Sequence, residues 1–378
     1  MIDADAMLEA FSGAGFGLIA GVPCSYLTPL INAASASTRA TYVASANEGE
    51  AIATAFGAEL AGVRGVAFFQ NSGLGNAVNP LTSLTAPFRT PILVLTTWRG
   101  QPGGAPDEPQ HEMMGEITPG LLELMHIGWE LLPQSANALP EALDRAEQHM
   151  RRTGMSYAFI VPKGGVGGDH PAPEAVAPRA IEAVALPRHR GALEPDVAVA
   201  AIQRAAGPRD AVLATTGFTG RALYAAGDQP NQFYMVGSMG CITSVGLGIA
   251  RAQPKRRVIA IDGDGAMLMR MGAAATLGYE RPANLLHVLL DNGVHDSTGA
   301  QATVSHSTDL AAVARACGYP RVLRIHSAAE LEDAIRTDHG ELCFLHVRTR
   351  PRSDRSLPRP SQTAAELASR FRAWLAES

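Results

Sequence analysis

Short apolar runs alternate along the first half of the chain with segments in which apolar residues recur at helical spacing. The runs predict strands at 16–23, 41–46, 66–70, 91–100 and 157–161. Helical spacing covers 4–14, 47–61, 119–125 and 139–152. Asp3 is a candidate N-cap for the first helix, and Ser25 for the helix that follows the first strand. This alternation with short connections predicts a parallel, doubly wound sheet.

The second half of the chain repeats the alternation. Strands are predicted at 211–215, 233–236, 258–263, 284–290, 322–325 and 342–347, and helices at 196–205, 241–252, 309–317, 328–336 and 363–375. Between Gly164 and Pro195 the periodicity stops and Gly, Pro and Ala dominate, which is typical of a linker. We therefore expect an α/β protein with two doubly wound parallel-sheet domains, 1–165 and 193–378, joined by a linker at 166–192 without a third domain.

Composition narrows the class of protein. A chain of 378 residues is long enough for two α/β domains, and its net charge of −5 without a basic block argues against nucleic acid as a partner. The N-terminus lacks the pattern of a signal peptide and no apolar run approaches a membrane span, so we expect a cytoplasmic protein without membrane contact. The four cysteines and 11 histidines show no zinc-site spacing. The arginines at 350–360 most simply form a solvated arm or a subunit contact.

The strongest chemical signal spans residues 258–301. One apolar strand ends there in Gly263-Asp264-Gly265, and the next ends in Asp291-Asn292. Adjacent parallel strands deliver their C-terminal ends to the same edge of a sheet, so we expect Asp264 and Asn292 to converge. A lone Gly-Asp-Gly also occurs in ordinary strand-to-helix turns, but the Asp-Asn pair at the end of the following strand favours a binding site.

These groups suit a hard cation and a diphosphate. The Asp264 carboxylate, the Asn292 amide oxygen and the Val294 carbonyl are oxygen ligands, and phosphate oxygens can complete an octahedron. Gly265, followed by Ala266, leaves room for phosphate at a helix start, where free N–H groups favour an anion.

Two further turns follow strands in the second half. Thr215-Thr216-Gly217 can wrap phosphate with hydroxyls and amides. Gly237-Ser238-Met239 follows the next strand, and its methionine is by itself equally consistent with a core residue.

The Gly-Asp-Gly motif closed by Asp291-Asn292 resembles the cofactor motif of the thiamine diphosphate enzymes, which usually ends in Asn-Asn. Asp291 departs from that pattern, whereas Asn292 keeps the metal-binding position. The resemblance implies that Asp264, Asn292 and the Val294 carbonyl hold Mg²⁺ on the diphosphate of thiamine diphosphate. It also implies that Gly237, Ser238 and Met239 contact this cofactor, with Met239 bending it into a V shape.

The resemblance also implies a role for Glu48, whose context Asn47-Glu48-Gly49-Glu50 is similar to the His-Glu-Gly-Ala element of the family's pyrimidine domain. Thiamine chemistry needs a carboxylic acid on the pyrimidine nitrogen, and a Glu held protonated by desolvation is suited to it. The alternative is that Glu48 and Glu50 only complement the helix N-terminus. The glycine-rich loop at 71–80 resembles the Gly-Pro-Gly loop of the same domain, with Leu74 in place of the proline.

Five segments are similar to the phosphonopyruvate and sulfopyruvate decarboxylase branch of the family, namely 21–25, 71–73, 98–103, 107–111 and 295–299. The resemblance implies that the substrate contacts come from Ser25, Asn71, Ser72, Arg99, His111 and His295. The planar guanidinium of Arg99 can bind a phosphonate or a carboxylate. His111 and His295 are candidates for donating to the anion or for moving the proton needed after carbon dioxide leaves, although a histidine taken alone is more often a loop or packing residue. Gly104 to Pro106 lengthen the spacing before Asp107, which leaves the placement of His111 open.

The resemblance therefore implies a magnesium- and thiamine diphosphate-dependent decarboxylase that converts 3-phosphonopyruvate to phosphonoacetaldehyde and carbon dioxide in phosphonate natural-product biosynthesis. In this family the cofactor lies between the pyrimidine domain of one subunit and the diphosphate domain of another, so we expect a homodimer or a larger even assembly. The nearest alternative is a sulfopyruvate decarboxylase. An acetolactate-type carboligase usually has a third domain, and a non-catalytic subunit would not be expected to keep both Glu48 and Asp264.

Overall fold

The computed structural model describes residues 1–173, 181, 191–337, 339–353 and 356–377. The chain divides into two compact units, Met1–Ala177 and Pro178–Ser378. Most of the linker expected at 166–192 lies outside the described residues, since 174–180 and 182–190 are among those not described. In the part of the chain that the structure describes, no helix combines the length and apolar character needed to cross a bilayer.

The N-terminal unit is built around one six-stranded parallel sheet. The strands of this unit are β1 (Ile2–Asp3), β2 (Phe16–Gly21), β3 (Thr41–Ala44), β4 (Arg64–Phe69), β5 (Leu93–Thr97), β6 (Gly128–Leu131), β7 (Tyr157–Val161) and β8 (Val166–Gly167). Its α-helices are α1 (Ala4–Gly13), α2 (Thr28–Ala36), α3 (Glu48–Leu60), α4 (Leu74–Pro80), α5 (Glu112–Leu124) and α6 (Leu139–Thr153). The sheet order is β3-β2-β4-β5-β7-β6, and β1 pairs separately with β8.

Helix caps and apolar faces explain these elements. The Asp3 carboxylate accepts hydrogen bonds from the main-chain N–H groups of Asp5 and Ala6, which confirms it as the N-cap of α1. Helices α1, α2 and α6 bury their apolar faces in one cluster with alternate residues of the sheet, such as Phe68 and Phe159. The small side chains of α3 let it lie close to β4.

Three local predictions for this unit were wrong. Ser25 does not cap α2, because it opens a separate 3₁₀ turn before that helix. The glycine-rich segment 71–80 forms a 3₁₀ turn and then α4, which packs against α3. Helix α5 begins at Glu112 and contains Pro119 in its interior. The proline has no N–H to donate to the Gly115 carbonyl, and the indole Nε1 of Trp98 donates to that carbonyl instead at 2.8 Å.

The C-terminal unit contains a second six-stranded parallel sheet. The strands of this unit are β9 (Ala211–Ala214), β10 (Gln232–Tyr234), β11 (Val258–Gly263), β12 (Leu285–Asp291), β13 (Val294–His295), β14 (Gln301–Ala302), β15 (Arg321–Ile325) and β16 (Cys343–Arg348). Its helices are α7 (Pro195–Ala205), α8 (Phe218–Ala225), α9 (Ile242–Ala252), α10 (Asp264–Met269), α11 (Gly272–Glu280), α12 (Leu310–Ala316), α13 (Ala328–Arg336) and α14 (Ala364–Ala376). The sheet order is β10-β9-β11-β12-β16-β15, and β13 and β14 form a small antiparallel ribbon.

The two sheets confirm the predicted α/β fold with two doubly wound parallel sheets. Helix α8 was not predicted, and neither was the β13–β14 ribbon, whose strands of two residues each are too short for a periodic signal. In the C-terminal unit, β11 pairs with β9 on one side and β12 on the other, so the ends of these three strands lie at one edge of the sheet. This edge carries the motifs that sequence analysis singled out.

Candidate active site

A cavity of about 180 Å³ opens at the C-terminal ends of β9, β11 and β12. Most of the residues predicted to contact a cofactor line it. They are Thr216, Gly217, Met239, Gly263, Asp264, Gly265, Ala266, Asn292 and Val294, and His295, predicted as a catalytic and substrate-binding residue, lines it as well. Gly237 and Ser238 are not part of the lining but directly precede Met239. The structure therefore brings Asp264 and Asn292 together, as expected from neighbouring parallel strands.

The protein holds the Asp264 carboxylate through one of its two oxygens, Oδ2. Asp264 is 3% exposed, and its Oδ2 accepts hydrogen bonds from Thr303 Oγ1 at 2.5 Å and Ser305 Oγ at 2.9 Å. Among the described residues, none donates a hydrogen bond to the other oxygen, Oδ1. Because Oδ2 has two donors, Oδ1 keeps its lone pairs for a cation in the cavity. Neither Thr303 nor Ser305 belongs to a local motif, so the sequence alone did not indicate them.

The turn after β12 orients Asn292. Its Oδ1 accepts from the Val294 N–H at 3.0 Å, and its Nδ2 donates to Asp296 Oδ2 at 2.7 Å. An amide oxygen has two lone pairs, so this oxygen keeps one for a cation. Asp296 also accepts from the main-chain N–H of Arg352 at 3.2 Å. The orientation of Asn292 therefore depends on the Asp296 carboxylate, which the sequence indicated only as part of the segment 295–299.

Asp291, the departure from the family's Asn-Asn pattern, anchors the strand and does not line the cavity. It is 1% exposed, and its Oδ2 lies 2.8 Å from His346 Nε2 and accepts from Arg348 Nη1 at 3.1 Å. Burial alone would raise the pKa of Asp291, but the hydrogen bonds and charges of His346 and Arg348 hold this pKa below its usual value. The carboxylate thus ties the end of β12 to β16.

Two buried hydroxyls near the cavity have no hydrogen-bond partner among the described residues. They are Thr215 Oγ1, in the cavity wall, and Ser238 Oγ, in the turn before Met239. Ser238 also has a φ of 52°, in the left-handed region that a non-glycine residue rarely adopts. A buried hydroxyl without a partner costs about 1–3 kcal/mol, so one in a cavity wall, as Thr215 Oγ1 is, indicates a polar ligand. A bound diphosphate fits this donor set.

Gly265 is required by the close approach of two side chains. A Cβ at this position would lie 2.6 Å from His295 Cε1 and 3.3 Å from Met239 Cε. The glycine therefore allows the His295 ring and the Met239 side chain to lie over the start of α10. His295 is half-buried and lies on the β13–β14 ribbon.

A second cluster of predicted residues lies at the strand ends of the N-terminal unit. Glu48, the first residue of α3, is half-buried, and its Oε2 accepts from Asn76 Nδ2 at 2.8 Å. A Cβ on Gly73 would lie 2.2 Å from Glu48 Oε1, so only glycine fits beside this carboxyl group. The resemblance to the family's glycine-containing loop thus has a steric reason.

Arg99 is already engaged by a carboxylate. Its Nε and Nη2 donate to the two oxygens of Asp107 at 2.7 and 2.5 Å, and its Nη1 lies 3.4 Å from Ser25 Oγ. The guanidinium also lies over the Tyr26 ring, 5.0 Å from its centroid. The Arg99 hydrogen bond holds the pKa of Asp107 well below its usual range, and Asp107 raises the pKa of Arg99. Asp107 entered the sequence analysis only as part of a motif.

Asn71, Ser72 and His111 lie around Arg99 in different settings. Asn71 is fully buried, and its side chain bonds the Arg99 carbonyl at 2.9 Å, the Arg99 N–H at 3.1 Å and Thr118 Oγ1 at 3.1 Å. It therefore supports the Arg99 main chain. Ser72 is exposed and accepts from Gln70 Nε2 at 2.6 Å. His111 is 6% exposed at the start of α5, and its Nδ1 has no hydrogen-bond partner among the described residues.

Comparison with known proteins gives a consistent result for both units. The model described as "Thiamine pyrophosphate enzyme, N-terminal TPP binding domain" matches residues 3–118, and the corresponding C-terminal TPP binding domain matches residues 215–347. The chain is also similar in fold to a thiamine diphosphate-dependent 4-hydroxybenzoylformate decarboxylase of Rhodococcus jostii RHA1. That match has a TM-score of 0.70 at 13% identity and covers 93% of this chain and 99% of the other.

Two curated relatives match almost the whole chain. Phosphonopyruvate decarboxylase of Streptomyces viridochromogenes is 46% identical over 99% of this chain and 95% of its own. Phosphonopyruvate decarboxylase of Streptomyces hygroscopicus is 45% identical over 100% of this chain and 95% of its own. Sulfopyruvate decarboxylase of Methanosarcina acetivorans is more distant, at 29% identity over 98% of this chain and 96% of its own.

Proposed function

The chain belongs to the phosphonopyruvate decarboxylase family of thiamine diphosphate enzymes, and on that premise we propose that it converts 3-phosphonopyruvate to phosphonoacetaldehyde and carbon dioxide. It is a carboxy-lyase. The observation that carries the choice of substrate is full-length identity to two relatives with this name, well above the identity to the sulfopyruvate enzyme. The phosphonoacetaldehyde product would place the reaction in phosphonate natural-product biosynthesis.

The cavity of the C-terminal unit suits Mg²⁺ and the cofactor's diphosphate. Asp264 Oδ1, Asn292 Oδ1 and the Val294 carbonyl would bind the metal, because hard cations prefer oxygen ligands. The hydroxyls of Thr215 and Thr216 and the main chain of Gly217 would hold phosphate oxygens. When bound, thiamine diphosphate supplies a carbon nucleophile and an electron sink for the departing carbon dioxide.

In the N-terminal unit, Glu48 would hold a proton on its carboxyl group and share it with the pyrimidine nitrogen of the cofactor. Asn76 Nδ2 fixes the carboxyl group through Oε2, and the bare Cα of Gly73 lies against Oε1. This arrangement limits rotation of the acid, so that its proton stays directed to one place. Glu48 would therefore tune the cofactor rather than touch the substrate's carboxylate.

The substrate's phosphonate would bind at Ser25 and Arg99. Asp107 occupies Nε and Nη2 of Arg99, so the anion would meet Nη1 and the neighbouring Ser25 hydroxyl. His295, over Gly265, and His111, beside Gly100, are the groups proposed to deliver a proton to the carbon that has lost carbon dioxide. In this scheme Asn71 supports Arg99, and Ser72 contributes an exposed hydroxyl at the same strand edge.

We further propose that one functional site needs two copies of the chain. The acid and the metal ligands belong to separate units, and the family pattern pairs the pyrimidine unit of one subunit with the diphosphate unit of another. Each copy would then contribute Glu48 to one site and Asp264 to another. A homodimer is the smallest assembly that satisfies this arrangement.

A second candidate function is decarboxylation of sulfopyruvate, which the full-length relative from Methanosarcina favours. A phosphonate and a sulfonate differ mainly in charge and in the protons they carry.

The test of the proposed function compares kcat/KM for 3-phosphonopyruvate, sulfopyruvate and pyruvate. It uses purified full-length protein with Mg²⁺ and thiamine diphosphate and follows aldehyde formation. We expect phosphonopyruvate to exceed the other two by at least about tenfold, and faster turnover of sulfopyruvate would overturn the proposal.

A further inference from the structure

Arg352 is a buried cation in the wall of the cavity that contains Asp264 and Asn292. The prediction that the arginines at 350–360 form a solvated arm or a subunit contact is wrong for Arg352, because its side chain is only 5% exposed. Its Nη2 donates to Asp196 Oδ1 at 2.5 Å, and the Asp196 side chain is 70% exposed. Within the described residues, Nε and Nη1 of Arg352 donate no hydrogen bond.

The positive charge of the Arg352 guanidinium is only partly balanced by its partner Asp196. A buried charge is costly unless it is paired and hydrogen-bonded, and a mostly exposed carboxylate is a weak partner because water screens it. The remaining N–H groups of Arg352 lie in a wall that also contains hydroxyl groups and the helix start at Gly265. This combination of donors is suited to an anion with several oxygens.

The charges around the cavity lead to the same conclusion. Its ionisable lining groups are Asp264, Asp296, His295 and Arg352. The negative charges of Asp264 and Asp296 together balance the two positive charges of one Mg²⁺ ion. The negative charge of a bound diphosphate then needs a further cation, and Arg352 is the group that can provide it. A bidentate guanidinium matches the geometry of a phosphate group.

Arg352 is also tied to the metal ligands through the main chain. Its N–H donates to Asp296 Oδ2 at 3.2 Å, and the same oxygen accepts from Asn292 Nδ2 at 2.7 Å. One carboxylate therefore fixes both the start of the Arg352 side chain and the amide of Asn292.

From these contacts we propose that Arg352 is a diphosphate-binding residue. It contacts the phosphate groups of thiamine diphosphate directly and neutralises the part of their negative charge that Mg²⁺ does not neutralise. The inference rests on the proposed function only through the cofactor and does not depend on which 2-oxo acid reacts. Asp196 then holds the guanidinium in the absence of the anion and competes weakly with it.

The test compares Arg352→Gln, Arg352→Lys and Asp196→Asn in the full-length protein. Equilibrium binding of thiamine diphosphate at fixed saturating Mg²⁺ is measured by calorimetry, without substrate, and the melting temperature of the cofactor-free protein is measured in parallel. We expect Arg352→Gln to raise the dissociation constant at least about tenfold, because a charge-assisted hydrogen bond is lost. Arg352→Lys should lie between this variant and wild type. Asp196→Asn should bind as tightly as wild type or more tightly.

The control variant separates the proposal from a structural role. If Arg352 served only to pair with Asp196, Arg352→Gln and Asp196→Asn would weaken binding equally and lower the melting temperature together, which would overturn the inference. Wild-type affinity in Arg352→Gln would overturn it as well. If the wild-type protein itself does not bind thiamine diphosphate, the proposed function fails. A protein that binds the cofactor but does not turn over phosphonopyruvate leaves the inference on Arg352 intact.

Discussion

Thr303 donates its hydroxyl hydrogen to Asp264 across 2.5 Å, although the two residues are 39 positions apart, with α11, β12 and the β13–β14 ribbon between them. Ser305 donates to the same carboxylate oxygen at 2.9 Å. The carboxylate is thereby oriented so that Oδ2 accepts hydrogen bonds from the protein and Oδ1 remains available in the cavity. Replacing groups that orient a metal ligand in this way typically lowers metal affinity by about 10- to 100-fold.

The first prediction concerns these two hydroxyls. In a Thr303→Val/Ser305→Ala double variant, we expect the affinity for Mg²⁺ to fall about tenfold or more, because Asp264 is free to rotate. Titrating Mg²⁺ against both decarboxylation and thermal stabilisation by thiamine diphosphate measures the change. Ser307→Ala is the matched control, since Ser307 is an exposed residue of the same segment whose hydroxyl donates to the Val304 carbonyl and not to Asp264. An unchanged Mg²⁺ dependence in the double variant contradicts the role.

The second prediction concerns Glu48. Glu48→Gln keeps the shape of the side chain but cannot exchange a proton, so decarboxylation should fall at least about a hundredfold while cofactor binding changes only a few-fold. Steady-state kinetics and cofactor titration measure the two effects. Glu141→Gln is the control, because it also removes a negative charge from the first turn of a helix. Glu141 lies in the first turn of α6, with its side chain 83% exposed. If Glu48 only complemented its helix, the two variants would behave alike.

The third prediction tests the shared site by mixing. Glu48→Gln and Asp264→Asn variants should each be nearly inactive, because each lacks one essential group. After the two are unfolded and refolded together in equal amounts, half of the dimers contain both chains, and one of their two sites has both native groups. About a quarter of wild-type activity should return. Refolding each variant alone is the control, and no recovery in the mixture would show that the groups do not meet across two copies.

The fourth prediction follows from the Arg99–Asp107 pair. The pKa of Asp107 is lower in the folded protein than in the unfolded chain, so its carboxylate stabilises the fold above the unfolded pKa of about 3.9 and loses this effect as the pH falls. Asp107→Asn should lower the free energy of unfolding by about 1–3 kcal/mol at pH 7. The difference from wild type should shrink at pH 3 and below.

Urea unfolding at pH 7 and pH 3 checks this prediction, with Glu108→Gln as the control because Glu108 is exposed beside it. The same Asp107→Asn variant should also raise KM for the anionic substrate, since Arg99 would lose the carboxylate that orients its guanidinium. A stability difference that does not vary with pH would mean that the charge of Asp107 is not what stabilises the fold.

The local pattern of the chain was sufficient to predict the α/β fold and the edge of the sheet at which Asp264 and Asn292 meet. Strand and helix periods are local properties, and neighbouring parallel strands deliver their C-terminal ends to the same edge of a sheet. For the same reason the N-cap at Asp3 was predictable, since a cap depends on the three residues that follow it.

Only the tertiary structure decided which other side chains contact the predicted site residues and hold them in place. Thr303 reaches Asp264, Asp107 occupies the guanidinium of Arg99, and Arg352 turns into the cavity instead of solvent. Pro119 lies within α5 because a distant tryptophan satisfies the carbonyl that the proline cannot. Each depends on contacts between residues that are not neighbours in the chain. Their formation is decided by which polar groups packing leaves buried together, and a local pattern does not contain that information.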